Sequence, residues 1–472
     1  MKALFVEPPK TPWEMMGDFI APPLGLAQLA AVLEINGVDV QIVDCNASRL
    51  TWSDLKQAIA DAQPTLVGAS AMTTFFPTAL RVMQMAKGID EDIVTVVGGP
   101  HVTFTAREAL ENHPEIDIVG RGEGEQVIVD LVRCLEGGGD LAQVKGIAIR
   151  QEGQVVQTPL PEPVEVDELP LPAYHLLPME SYYFTVFQKF CTVLASRGCP
   201  YNCTFCAERS FWGSGWRPRD PAMVGDELEL LCRKYGRESI WFGDDCFNVD
   251  GKHMALICEE ILRRDLHLDW YYQGRVDLLI KHRELLPLMR RAGNLMAQIG
   301  IEAASNEELQ DLRKGLTVEQ VREAVSLLRE HGIVSQGLMI IGTRQDDARS
   351  IMRKVDFLKW LDVDFPIFTI YTPFPGTEVF EEAKEKGWLE TMDYALYDMA
   401  NPIMPTEHLS RKEMVRLYGQ CFISFYTDPI KIAKGLASRI PWKREIWRYM
   451  LSFTLRQYLR AYWRLVTSLF RW

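Results

Sequence analysis

Short runs of β-branched residues alternate with segments of helical periodicity along most of the chain. In the first third, Ala3–Val6, Val38–Val43, Thr65–Ser70, Ile93–Val97 and Ile116–Val119 read as buried strands. Helical spacing covers Leu24–Asn36, with Gly37 as a stop signal, then Leu55–Asp61, Pro77–Lys87, Arg107–Asn112 and Glu125–Leu135. This alternation predicts an α/β unit with a doubly wound, flavodoxin-like parallel sheet, whose ligands sit beyond the carboxyl ends of the strands. The pattern pauses at Gly137-Gly138-Gly139, a turn. Gly146–Arg150 and Gln154–Gln157 then read as a small hairpin, and the proline-rich stretch from Pro161 to Pro178 as an extended connector. Alternation resumes with strands at Thr192–Ser196, Ser239–Phe242, Asp269–Gln273, Leu295–Ile301, Val334–Ile341 and Pro366–Tyr371. Helical segments at Leu228–Lys234, His253–Arg264, Glu284–Ala292, Val318–His331 and Ser350–Leu361 separate them. Six such units predict a partial (β/α) barrel of the TIM type. The expected division is 1–140 for the first domain, 141–190 for hairpin and linker, 191–400 for the barrel and 401–472 for a helical C-terminal region.

Composition narrows the class without naming a function. The 472 residues are 47% hydrophobic and 24% charged, which excludes collagen-like, mucin-like and disordered chains. A net charge of −13 argues against a nucleic-acid partner. The opening Met1–Pro9 does not read as a signal peptide, and the uncharged stretch 62–80 is broken by Pro64, Gly68 and Pro77, so no membrane span is expected. The expectation is a cytoplasmic chain, in which clustered cysteines read as metal ligands rather than disulfides.

Ten cysteines are present, and three of them form Cys199-x-x-x-Cys203-x-x-Cys206 directly after a predicted strand. Thiolates are soft anionic ligands, and three within one loop can wrap an iron–sulfur cubane while leaving one iron open. Zinc sites usually take four ligands, often two C-x-x-C pairs, and only Cys203-x-x-Cys206 fits that spacing. Phe205 suits a shield for the cluster or an adenine contact; its other reading is a core aromatic. Cys232 and Cys258 lie in helical patterns and read as small buried hydrophobes, while Cys246 follows the strand-end Gly243-Asp244-Asp245.

The segment from the cysteines onward resembles the core domain of radical S-adenosylmethionine (SAM) enzymes. That resemblance implies a [4Fe–4S] cluster on Cys199, Cys203 and Cys206. It implies SAM contacts at Phe205, Gly243, Asp244, Asp245 and Glu302, and it extends to Thr372-Pro373-Phe374-Pro375-Gly376-Thr377. Roughly the first 140 residues, through Pro22-Pro23-Leu24-Gly25-Leu26, Gly98-Gly99-Pro100-His101 and Gly120-Arg121-Gly122-Glu123-Gly124-Glu125, resemble the Rossmann-like cobalamin-binding domain of cobalamin-dependent members. Cobalamin would then sit on Ser70, Met72, Thr73, Gly98, Gly99, Pro100, His101, Gly120, Arg121, Gly122 and Glu123. The stretch after the first strand, Glu7-Pro8-Pro9-Lys10, lacks the cobalt-binding histidine of Asp-x-His-x-x-Gly domains. His101 is either a cobalt ligand or a loop histidine making ordinary hydrogen bonds. Arg275 with Asp277 either orients substrate or forms a structural ion pair, and Tyr371 either relays hydrogen or packs.

The resemblance implies a C-methyltransferase with cobalamin as methyl carrier, acting on a small molecule and reduced by a flavodoxin or ferredoxin; docking of the C-terminal tail on a membrane would imply a hydrophobic substrate. It also implies a second chemistry, oxidative cyclisation or rearrangement in tetrapyrrole or lipid metabolism. A reading of another class is a non-catalytic cofactor sensor or membrane adaptor.

Charge is unevenly spread. From Asp428 to Trp472 there are ten Lys/Arg and two acids. Arg456, Arg460 and Arg464 form one helical stripe, and Leu455, Leu459, Tyr462, Val466 and Phe470 another. Such a helix suits either peripheral contact with an anionic membrane or packing on the barrel.

Overall fold

The computed structural model describes residues 1–9, 19–185, 187–213 and 215–452. Its first sheet has seven strands in the order Asp39–Asp44, Lys2–Glu7, Leu66–Ser70, Val94–Gly98, Ile118–Gly120, Ile147–Gln151, Gln154–Gln157. The first five are parallel, as the strand–helix alternation requires. The hairpin pairs antiparallel onto Ile118–Gly120, so it extends this sheet rather than standing apart. Helices Leu24–Ile35 and Gly124–Gly137 cover one face, around a core with Phe5, Leu33 and Ile147. Helices Phe76–Ile89 and Pro100–Asn112 cover the other, around Val67, Met83 and Val97.

The second sheet has six parallel strands in chain order: Phe190–Val193, Ser239–Phe242, Asp269–Gly274, Asn294–Glu302, Val334–Ile341 and Phe365–Ile370. This is the six-unit partial barrel, and all nine residues of Asn294–Glu302 are buried. The connector is tied to both halves. Tyr182 donates its hydroxyl to Asp44 at 2.9 Å, and Tyr174 donates to Glu227 of the barrel at 2.5 Å.

Past the barrel the chain returns to the first domain. Phe380, Tyr394, Tyr397 and Ile403 join the core beneath the sheet face that carries Val67 and Val97. Gly376 has no side chain where the Phe104 ring lies, so the last barrel loop abuts helix Pro100–Asn112. Helix Arg411–Tyr426 packs on helix Ala348–Leu361, and Trp447 is buried against Phe365 and Tyr426. The arginine and apolar stripes predicted from Leu455 to Phe470 lie outside the described residues. No helix among the described residues is long and apolar enough to cross a membrane.

Candidate active site

Both sheets turn their carboxyl ends toward one region. On the barrel side, strand Phe190–Val193 leads into the ribbon Ser196–Arg197, which pairs antiparallel with Arg217–Pro218, and the cysteine loop follows. Gly198 between ribbon and loop has φ +84°, and a Cβ there would lie 2.5 Å from the Gly215 carbonyl oxygen. Only glycine fits that turn. The loop is pinned from several sides. The Gly198 N–H donates to Asp245 at 3.1 Å, Thr204 N–H donates to the Leu312 carbonyl at 3.3 Å, and Thr204 bonds the Tyr371 hydroxyl.

Two buried cations flank the thiols. The Arg275 guanidinium stacks 3.6 Å from the Tyr201 ring centroid and reaches to 4.0 Å from Cys203 Sγ, while pairing with Asp277 at 3.0 Å. Lys314 pairs with Glu302 at 2.7 Å, and its ammonium stands 5.9 Å from the Phe205 ring centroid. Burial pulls the Lys314 ammonium down, but Glu302 and Cys203 more than offset it, so its pKa ends above the usual value. Burial pushes the Cys203 and Cys206 thiols up. The Cys199 thiol is drawn down to about 6, chiefly by a hydrogen bond from Cys246. Among the described residues no three His, Cys, Asp or Glu side chains gather tightly enough to hold a single metal ion. Three thiols on one short loop, with two cations to offset their charge, fit an iron–sulfur cluster that spreads its ligands over separate irons.

Acidic groups close the other side of the loop. Asp244 is buried and accepts from Ala195 N–H at 3.1 Å and from the Ser196 hydroxyl at 2.5 Å; burial lifts its carboxyl to about 6. Asp245 is lifted further, to about 9, by burial and then by Glu208, with which it shares a hydrogen bond. Glu302 ends its strand at φ +64°, beside a shift of register at Gly300. Its carboxylate pairs with Lys314.

On the first domain, a cavity of about 320 Å³ opens among the glycine loops. Ser70, Gly98, Gly99, Pro100, Gly120, Gly122 and Glu123 line it, so bare backbone forms much of the wall. Gly99, at φ +106°, lets its loop cross the Ser70-Ala71 turn; a Cβ there would lie 2.9 Å from Ala71 O and Ser70 Oγ. The barrel supplies the rest, through Leu194, Arg197, Trp212 and Arg219. The cavity therefore lies between the glycine loops and the segments that flank the cysteine loop on either side. Its apolar walls and backbone donors fit a large cofactor held by close main-chain approach.

Four residues expected on that wall are elsewhere. Met72 is exposed, and Thr73 is buried at the start of a 3-10 turn. Arg121 donates to the Thr158 carbonyl at 3.0 Å, fastened to the hairpin. His101 is buried between Phe76 and Tyr394, with ring centroids 4.6 and 4.4 Å away, and neither ring nitrogen has a hydrogen-bond partner among the described residues. Burial pulls its pKa to about 4, so it stays neutral. Of the alternatives left open by the sequence, Arg275 and Asp277 do pair, but Arg275 also faces the thiols. The sequence motifs do not single out Arg197, Glu208 and Lys314, which the fold brings to the site. Arg197 and Glu208 flank the cysteine motif by two residues, a signal available in the sequence; Lys314 is brought in only by topology.

Residues 18–132 match the family model for a B12 binding domain, and residues 193–357 match that of the Radical SAM superfamily. The chain is 34% identical over 467 residues to an uncharacterized methyltransferase of Pyrococcus horikoshii, covering 98% of this chain and 99% of the relative. It is 33% identical over 423 residues to an anaerobic magnesium-protoporphyrin IX monomethyl ester cyclase of Rubrivivax gelatinosus, covering 88% and 75%. Its fold matches that of the cobalamin-dependent S-adenosylmethionine radical enzyme OxsB, solved with aqua-cobalamin and SAM bound. The TM-score is 0.74 at 18% identity, over 98% of this chain and 75% of that one.

Proposed function

The chain belongs to the radical SAM superfamily, in the group that carries a B12-binding domain, and from that premise we propose that it methylates carbon on a small hydrophobic molecule. The observation that carries this reading is the shared cavity, walled by the glycine loops on one side and by Arg197 and Trp212 beside the cysteine loop on the other. Methyl transfer through a carrier needs the carrier and the radical source within reach of one substrate carbon.

When bound, the cluster supplies the electron that cleaves SAM to a 5′-deoxyadenosyl radical, and cobalamin carries the methyl group. Cys199, Cys203 and Cys206 would hold the cluster, with Arg275 and Lys314 balancing its charge. Asp244, Asp245 and Glu208 would offer carboxyl oxygens to the ammonium of SAM, and Glu302 would meet its ribose. Ser70, Gly98, Gly99, Pro100, Gly120, Gly122 and Glu123 would hold the corrin and its tail. Phe205 and Tyr201 would screen the cluster from water, which a carbon radical requires. Reducing equivalents would come from a flavodoxin or ferredoxin.

Identity to the Rubrivivax cyclase supports a second reading, oxidative ring closure. Anaerobic incubation of the reconstituted enzyme with dithionite and methyl-labelled SAM separates the two. Without substrate, methyl transfer predicts S-adenosylhomocysteine with the label held on the corrin; with substrate it predicts S-adenosylhomocysteine and 5′-deoxyadenosine, with the label moved to the product. Deoxyadenosine without S-adenosylhomocysteine or labelled corrin would overturn it in favour of cyclisation.

A further inference from the structure

Between the glycine loops and the ribbon beside the cysteine loop lies a buried ionic network. Arg197 forks its guanidinium to two carboxylates of the first domain, Glu123 at 2.8 Å and Glu125 at 2.5 Å. Arg217, its partner in the ribbon, pairs with the other oxygen of Glu123 and donates to the Val164 carbonyl at 2.7 Å. Arg197, Glu123 and Glu125 are all at least nine-tenths buried on their side chains. Both acids sit at the start of helix Gly124–Gly137, where the helix dipole favours negative charge.

The network touches both sites. Glu123, Glu125 and Arg197 line the cavity. Arg197 also lies over the Trp212 ring, 5.5 Å from its centroid, and only Gly198 separates it from Cys199. The backbone at Gly198 has no slack: its left-handed turn is pressed against Gly215, and its N–H is held by Asp245. The backbone between the Arg197 fork and the first thiol is thus a single, tightly held residue. Buried ion pairs of this kind contribute little net stability, and fixing one geometry among alternatives is their best-attested use. A planar fork holding two carboxylates is a task for which lysine is no equivalent.

We propose that Arg197 is a positioning residue that couples the two cofactor sites, so that filling the glycine-loop cavity tightens the cluster loop and an assembled cluster tightens the cavity. The inference rests on the B12-binding radical SAM reading. A ligand in the cavity fixes Glu123 and Glu125, these fix the Arg197 fork, and the fork fixes the start of the cysteine loop. Ordering paid once need not be paid again, and the effect is reciprocal by linkage.

The test is an anaerobic absorbance titration with hydroxocobalamin, on the full chain with its cluster reconstituted and with the cluster stripped by chelator. Wild type is expected to bind about tenfold more tightly with the cluster in place, within the usual range of coupling between sites. In Arg197→Gln the ratio should fall to about one, while corrin still binds and iron still loads. Arg197→Lys, which keeps the charge without the fork, should give an intermediate ratio and serves if the glutamine variant does not fold. A merely structural role would weaken both affinities together and leave the ratio unchanged. A wild-type ratio near one, or a ratio that survives in both variants, would overturn the coupling. A chain that binds no corrin and assembles no cluster would overturn the underlying reading and the coupling with it.

Discussion

Two residues of the glycine loops show what single positions do here. Gly99 combines a left-handed backbone with contacts that leave no room for a methyl group. Gly99→Ala should lower stability by about 1–3 kcal/mol and weaken corrin binding, read by thermal melting and absorbance titration. His101 contributes through its neutrality. Its pKa is near 6.5 when unfolded and about 4 in the fold, lowered by burial. The unfolded chain therefore takes up a proton first as pH falls, so stability is complete above about 6.5 and is lost progressively toward 4. From pH 7 to 5 the loss should be about 2 kcal/mol, and His101→Phe should remove that share of the pH dependence in parallel urea titrations. The sequence could not show this burial. Helix Pro100–Asn112 starts right after Gly99 and bends at Thr105, whereas the apolar spacing becomes helical only from Arg107. His101 therefore belongs to a first helical turn that faces the core, not to an open loop.

At the scale of elements, the cysteine loop depends on neighbours far away in the chain. Lys314 follows the short helix Asn306–Asp311, more than a hundred residues past Cys206, yet meets Glu302 and the thiols inside the barrel. Lys314→Met would leave Glu302 buried without its cation and should cost about 3–5 kcal/mol, with most of it restored in the Glu302→Gln, Lys314→Met double variant. Unfolding midpoints of the two variants check this. What was legible follows the same logic. The strands Ser239–Phe242 and Val334–Ile341 are legible to the residue, because short, mostly apolar runs bounded by helical segments have few alternatives. The cysteine spacing, the acidic strand end at Asp244-Asp245 and the glycine loops were legible because each motif is local. The cation pair Arg275 and Lys314 was not, since its meaning arises only when separate strand ends converge.

The whole molecule is a clasp around that convergence. The connector bonds to both halves through Tyr174 and Tyr182, and the segment after the barrel returns Tyr394 and Tyr397 to the first domain. The cavity between the halves is thus bounded by chain that passes from one half to the other and back. This arrangement predicts two cofactors in one chain, on separable residues. The most direct check is metal and corrin analysis of anaerobically reconstituted protein, beside a variant with Cys199, Cys203 and Cys206 all changed to alanine, at saturating cobalamin. Wild type should carry about four irons and about one corrin, and the variant corrin without cluster iron. Cluster iron retained in the variant, or a wild-type chain that holds zinc and no corrin, would contradict the account.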